Sequence, residues 1–111
     1  LSEAEQILRT MYLDGKKHLR LLQEVIFLIF GTTPQENEAC KTAETEEATE
    51  VPDICALLEE LLLAEMDDIS FYRALLFAMT EADLRNAFFE ILTDKQNHTV
   101  ALSHLYAKYF G

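Results

Sequence analysis

The sequence contains few residues that interrupt a helix: its 111 residues include three glycines, two prolines and no tryptophan. This scarcity argues against many short strands joined by tight turns and favours long helices. No apolar run reaches the roughly 18 residues expected of a membrane span, so no contact with a membrane is expected. Two cysteines, Cys40 and Cys55, are too few for a disulfide framework and leave open one bridge or two free thiols. These features together predict a cytoplasmic protein.

Basic residues are also scarce, with 9 Lys and Arg against 20 Asp and Glu and a net charge of −11. Nucleic acid is therefore not an expected partner, because binding it requires a basic face. The acidic residues are concentrated in one segment, 35–53, which holds seven acids and only Lys41 as a base. This composition is typical of a polar connection between structured elements.

Hydrophobic periodicity predicts a single all-α domain over 1–111, because apolar residues recur at alternating steps of three and four. The predicted helices span 2–30, 53–79 and 81–110, and an acidic crossover at 32–52 joins the first two. The crossover is long enough to traverse the bundle, which leaves the first two helices parallel. One tight turn joins the last two helices, which makes them antiparallel neighbours.

Capping residues delimit these helices. Ser2 with Glu5 forms a capping box, and Gly31 is a favourable stop for the first helix. Asp53 is the expected N-cap of the second helix, and Thr80 that of the third.

A thirty-residue segment occurs twice, at Ser2–Gly31 and again 80 residues later at Ala82–Gly111. Each copy carries Asp-x-x-x-His at its centre and ends on Phe-Gly. Polar residues interrupt all three apolar seams at a similar height, which predicts a polar layer inside the core. The interrupting positions are Gly15, His18, Glu65, Tyr72, Lys95 and His98.

These motifs resemble the ferritin-like superfamily, and within it the small rubrerythrin-type domains. The family pattern places Tyr seven residues after Glu on the first helix of each hairpin, as in Glu65 and Tyr72, and Asp-Glu-x-x-His on the second. The segments Asp14–His18 and Asp94–His98 follow the second pattern, but Gly15 and Lys95 replace its glutamates. The resemblance implies a four-helix bundle with a di-iron site. Three of its helices are present here, and the first is missing or supplied by a partner.

Carried over residue by residue, the resemblance leaves His18, Glu65 and His98 as candidate metal ligands, a set suited to one Fe(II), Mn or Zn ion. Asp14 and Asp94 fall where the family has carboxylates that orient the histidines. Tyr72 falls at a position for a neighbouring phenol, although a buried core tyrosine is the simpler interpretation.

Lys95 favours a core without metal. A lysine on an apolar seam needs a partner, and Glu65 on the neighbouring helix is the obvious one, so that the ammonium would occupy the place of the cation. The rival interpretation is that the Lys95 head group extends to solvent. His104 lies off the seam and is expected to be exposed.

The leading functional hypothesis is a ferritin-like structural or interaction module with a degenerate di-metal site that retains the means to bind at most one metal ion. The alternative is a rubrerythrin-type di-iron oxidoreductase, acting on peroxide or Fe(II), completed by a missing helix or a partner chain. Because three helices cannot close a four-helix core, a homodimer that buries the face of the first helix is expected.

Overall fold

The computed structural model describes residues 2–31 and 53–111, and these residues form three long helices. Helix α1 spans Glu3–Phe30, α2 spans Ile54–Ala78 and α3 spans Ala82–Phe110. The described residues contain no strand, so the predicted all-α class is confirmed. The predicted crossover at 32–52 lies outside the described residues.

Three of the four predicted capping residues occupy the cap positions in the structure. The Ser2 side chain accepts a hydrogen bond from the Glu5 N–H (3.1 Å), and Asp53 accepts one from the Cys55 N–H (3.1 Å). Gly31 ends α1 with φ of 73°, a left-handed conformation that glycine adopts without a steric penalty.

The predicted N-cap of α3 is wrong. Glu81, not Thr80, occupies the N-cap position, and its side chain makes no capping hydrogen bond. The preceding turn is held in another way, because the Arg85 guanidinium donates to the carbonyl oxygens of Leu76 and Met79, both at 2.8 Å. The last carbonyls of α2 are thus satisfied from α3, and the turn does not require a threonine cap.

Helix α3 lies at the centre and packs against both other helices. Glu3 at the start of α1 contacts His104 and Lys108 near the end of α3, while Val25 packs with Leu84 near the start of α3. Helices α1 and α3 are therefore antiparallel. Since the tight turn also makes α2 antiparallel to α3, α1 and α2 run in the same direction.

Two apolar clusters fill the ends of the bundle. One contains Val25, Leu84 and Phe88, and the other contains Leu58, Leu102 and Leu105. Between them lie the buried polar side chains of the described residues: His18, Glu65 and His98. The core is thus apolar at both ends and charged in the middle.

The bundle is open on the side between α1 and α2, where no Cα atom of one helix lies within 8 Å of a Cα atom of the other. Because α3 lies between them, α1 and α2 border an open side of the bundle. Many large apolar side chains of α1 and α2 are correspondingly exposed. None of the three described helices combines the length and apolar character required to cross a membrane.

Candidate functional site

The candidate site is a layer of charged side chains at mid-height of the bundle. His18 of α1 and His98 of α3 are each only 5% exposed, and their ring centroids lie 6.3 Å apart. All three helices contribute acidic groups, basic groups or both. The members of this charged layer are Asp14, Lys17, His18, Glu65, Asp68, Asp94, Lys95 and His98.

In the two Asp-x-x-x-His segments, the aspartate of each copy contacts the histidine of the other. Asp94 Oδ2 lies 2.8 Å from His18 Nε2, and Asp14 Oδ2 lies 2.7 Å from His98 Nε2. The Asp and His of each copy are one helical turn apart, and because the two helices are antiparallel, the two copies meet in reverse order. Each aspartate therefore reaches the histidine of the other copy, and the two pairs are related by an approximate two-fold axis.

Glu65 breaks this symmetry. Its Oε2 lies 3.0 Å from His98 Nδ1, so that both ring nitrogens of His98 face carboxylate oxygens. An ionised carboxylate only accepts hydrogen bonds, and an imidazole donates from both nitrogens only when it is protonated. Although burial lowers the pKa of His98, the hydrogen bonds that its ring donates to Glu65 and Asp14 raise it above its usual value. The contacts of both ring nitrogens therefore favour the imidazolium form of His98.

Lys95 provides the second buried cation. Its ammonium lies 3.1 Å from Glu65 Oε1 and 3.0 Å from Asp68 Oδ2. Burial opposes the charged state of Lys95, but the hydrogen bonds to Asp68 and Glu65 raise its pKa. Burial likewise raises the pKa of Glu65, yet the hydrogen bonds from His98 and Lys95 bring it below its usual value. The carboxylate of Glu65 is thus held between two cations.

Lys17 supplies a further cation at the α1–α3 contact. Its ammonium lies 2.7 Å from Asp94 Oδ2 and 3.3 Å from Glu90 Oε1. The hydrogen bond to Asp94 raises the pKa of Lys17. Burial raises the pKa of Asp94, but hydrogen bonds from Lys17 and His18 lower it overall. Sequence reasoning missed both Lys17 and Asp68, which lie beside the apolar seams and reach the layer from its edge.

The donor set does not suit the di-iron centre that the family resemblance implies. Gly15 and Lys95 stand where the family has bridging glutamates, and neither side chain offers a ligand. Both ring nitrogens of His98 are occupied by carboxylates. No group of three or more His, Cys, Asp or Glu side chains among residues 2–31 and 53–111 is placed to hold a metal ion. His18, Glu65 and His98 share one layer, but their contacts are those of ion pairs.

Hydrogen bonding within the layer is complete without a further ligand. Across the part of the chain that the structure describes, no buried side-chain nitrogen or oxygen lacks a partner. A cavity of about 360 Å³ opens beside Asp14 and His98 between α1 and α3, with Ile7 and Met11 forming its apolar wall. In the Asp14–His98 pair, His98 is buried and Asp14 is partly exposed, so the pair lies next to the surface.

The other residues singled out in the sequence lie outside the charged layer, in packing contacts or at the surface. Tyr72 is half-buried against Phe88, with ring centroids 6.3 Å apart, and burial raises the pKa of its hydroxyl. His104 is exposed and lies 2.6 Å from Glu3. Cys55 is a free thiol 3.7 Å from the Tyr106 hydroxyl, while Cys40 lies outside the described residues.

Comparison with known proteins returns no match to a family model, a curated protein or a solved structure. The geometry of the charged layer and of the open side is therefore the basis for assigning a function.

The pKa shifts predict a stability maximum at mild pH. Because the folded-state pKa of His98 is raised, its contribution is fully present below the ordinary histidine pKa of about 6.5 and is lost as pH rises through the folded-state value. Because the pKa values of Glu65 and Asp94 are lowered, their contribution is present above the ordinary carboxyl value and is lost as pH falls. Urea unfolding between acidic and mildly alkaline pH should show both losses, and His98→Gln should remove the alkaline one selectively.

Proposed function

We propose that this chain is a structural or interaction module of ferritin-like descent in which the charged layer takes the place of a metal centre. The observation that carries the proposal is the environment of His98. Its imidazolium lies between Glu65 and Asp14, and Lys95 neutralises the second oxygen of Glu65. A cation bound there would have to displace two protonated groups that already satisfy the carboxylates.

A charged layer of this type can specify how the helices are aligned. Buried ionic groups contribute little net stability, but a mispaired arrangement would leave charges unpartnered at high cost. Here each Asp–His pair forms only when α1 and α3 have the observed alignment. We propose that the layer fixes this alignment and thereby positions the outer surfaces of α1 and α2 for binding.

The binding partner in this proposal is a second copy of the chain. Large apolar side chains are exposed on the open side between α1 and α2, and contiguous apolar patches beyond a few hundred Å² are rare on soluble monomers. Tyr12 and Phe30 of α1, which are 62% and 72% exposed, illustrate this surface. A homodimer that covers it would complete the core that three helices leave open.

Metal analysis tests the central part of this proposal. Protein purified without chelator should contain well below one metal ion per chain by mass spectrometry, and a chelator should leave its melting temperature unchanged. One or two iron ions per chain, retained through gel filtration, would contradict the proposal.

The second candidate function is the rubrerythrin-type oxidoreductase, acting on peroxide or Fe(II). The reciprocal Asp–His pairs favour it, because histidines that ligate metals commonly donate their other ring N–H to a carboxylate. The substitution Lys95→Glu separates the two candidates. It restores a family ligand and should raise iron affinity if the oxidoreductase is correct, whereas in a metal-free core it places another carboxylate beside Glu65 and should only destabilise the fold.

A further inference from the structure

Helix α1 presents an apolar seam toward the open side. The seam lies on the flank of α1 that points away from α3, since Asp14 and Lys17 contact α3 from the opposite flank. Its residues are separated by four, seven and eleven positions, which keeps them on one face of the helix, and they are at least 42% exposed. The exposed members are Leu8, Tyr12, Leu19 and Phe30.

Helix α2 presents a matching seam. Leu61 and Leu75 are partly buried against the two apolar clusters, and further residues continue the same stripe in steps of three and four toward solvent. The exposed members are Ile54 (61%), Leu57 (39%) and Phe71 (59%). Two exposed apolar seams therefore border the open side, one on each helix.

Opposite charges flank the two seams with the same spacing. Arg9 and Lys16 lie seven residues apart beside the α1 seam, and Glu60 and Asp67 lie seven residues apart beside the α2 seam. All four are exposed. Within the described residues none of them forms an ion pair, and Lys16 instead lies over the Tyr12 ring at 4.9 Å from its centroid. Charges at such positions set partner choice between packed helices.

We infer that the open side binds a second copy of this chain in one specific arrangement, with α1 of each copy packed against α2 of the other. This inference rests on the proposed function and adds the geometry of the dimer. A two-fold axis parallel to the helices produces the arrangement, because α1 and α2 run in the same direction. The outer flank of α1, with Arg9 and Lys16, then faces the outer flank of the other copy's α2, with Glu60 and Asp67.

A second copy fits this surface for two reasons. The basic flank and the acidic flank belong to one chain, so two copies satisfy each other twice about the axis, as an isologous interface requires. The exposed parts of the two seams also amount to on the order of 700 Å² per chain, close to the roughly 800 Å² that each partner contributes to a standard interface. Packing α1 against α1 would instead bring basic flanks together.

Charge-swap variants test the arrangement. The variants R9E/K16E and E60K/D67K should each dissociate roughly tenfold or more readily than the wild type, because each places like charges across both contacts. An equimolar mixture of the two should recover wild-type association, since every contact in the mixed dimer again joins opposite charges. Sedimentation velocity at micromolar concentration measures this, and circular dichroism verifies that each variant is folded.

The fourfold variant R9E/K16E/E60K/D67K distinguishes the remaining outcomes. It should self-associate like the wild type if α1 packs against α2. A wild-type dimer whose fourfold variant is monomeric would overturn this arrangement and leave the homodimer intact. A wild-type chain that is a compact monomer would overturn both the arrangement and the proposed homodimer, whereas the metal-free core would still be decided by metal analysis.

Discussion

Replacing Lys95 with Met is expected to lower the free energy of unfolding by about 3 kcal/mol. The Lys95 and Glu65 side chains are 17% and 10% exposed, and their ammonium and carboxylate lie 3.1 Å apart. Removing the ammonium leaves the Glu65 carboxylate buried with one cation in place of two. The expected loss is at the lower end for a broken buried pair, because His98 continues to donate to Glu65. Urea denaturation at neutral pH provides the measurement.

A double-mutant cycle identifies the origin of that loss. In Glu65→Gln combined with Lys95→Met, the unpaired charge is absent, and more than half of the lost stability should return. Lys108→Met is the matched control, since Lys108 pairs with Glu3 at an exposed position and its loss should leave the unfolding midpoint unchanged. Additive losses in the double variant would show that Lys95 and Glu65 do not interact in the folded protein.

The duplicated histidines provide a second comparison. His98→Ala is expected to cost about 4 kcal/mol, since it leaves a cavity and removes the cation shared by Glu65 and Asp14. His18→Ala creates a similar cavity, because the two histidines are equally buried. It should cost at least about 1 kcal/mol less, because Asp94 retains its ion pair with Lys17.

Because the two cavities are similar, the difference in free energy of unfolding between the two alanine variants reports the contribution of the charged partners. Both values follow from urea denaturation at a pH where His98 is protonated, with exposed His104→Ala as a reference. Equal losses at the two positions would indicate that the layer is held by packing, and that the second carboxylate on His98 contributes nothing.

Periodicity was sufficient to predict the three helices and their apolar seams. The alternating steps of three and four place one stripe of each helix in the core, and polar residues at the same height along those stripes indicate a shared layer. The pairing of Lys95 with Glu65 could be predicted in the same way, because a charged side chain on an apolar seam is costly to bury without a partner of opposite charge. The structure places the two side chains in contact.

The partners within the layer required information that a single helix does not contain. Which aspartate reaches which histidine depends on the alignment of α1 with α3, and periodicity fixes the face of a helix but not its position along a neighbour. Lys17 was missed because it lies at the edge of the seam, from which its long side chain reaches Asp94. The start of α3 was misplaced because Arg85 stabilises the turn from a distance of several residues.

We expect the central position of α3 to set the order in which the helices assemble. Helices α2 and α3 are adjacent in sequence, so that their hairpin closes over a short turn at small entropic cost. Helix α1 must instead form contacts between residues far apart in the sequence, such as Asp14 and His98, which are 84 residues apart. Its backbone approaches that of α3 but not that of α2. We therefore expect α1 to dock last during folding and to detach first on partial unfolding, with the Asp–His pairs holding it against α3.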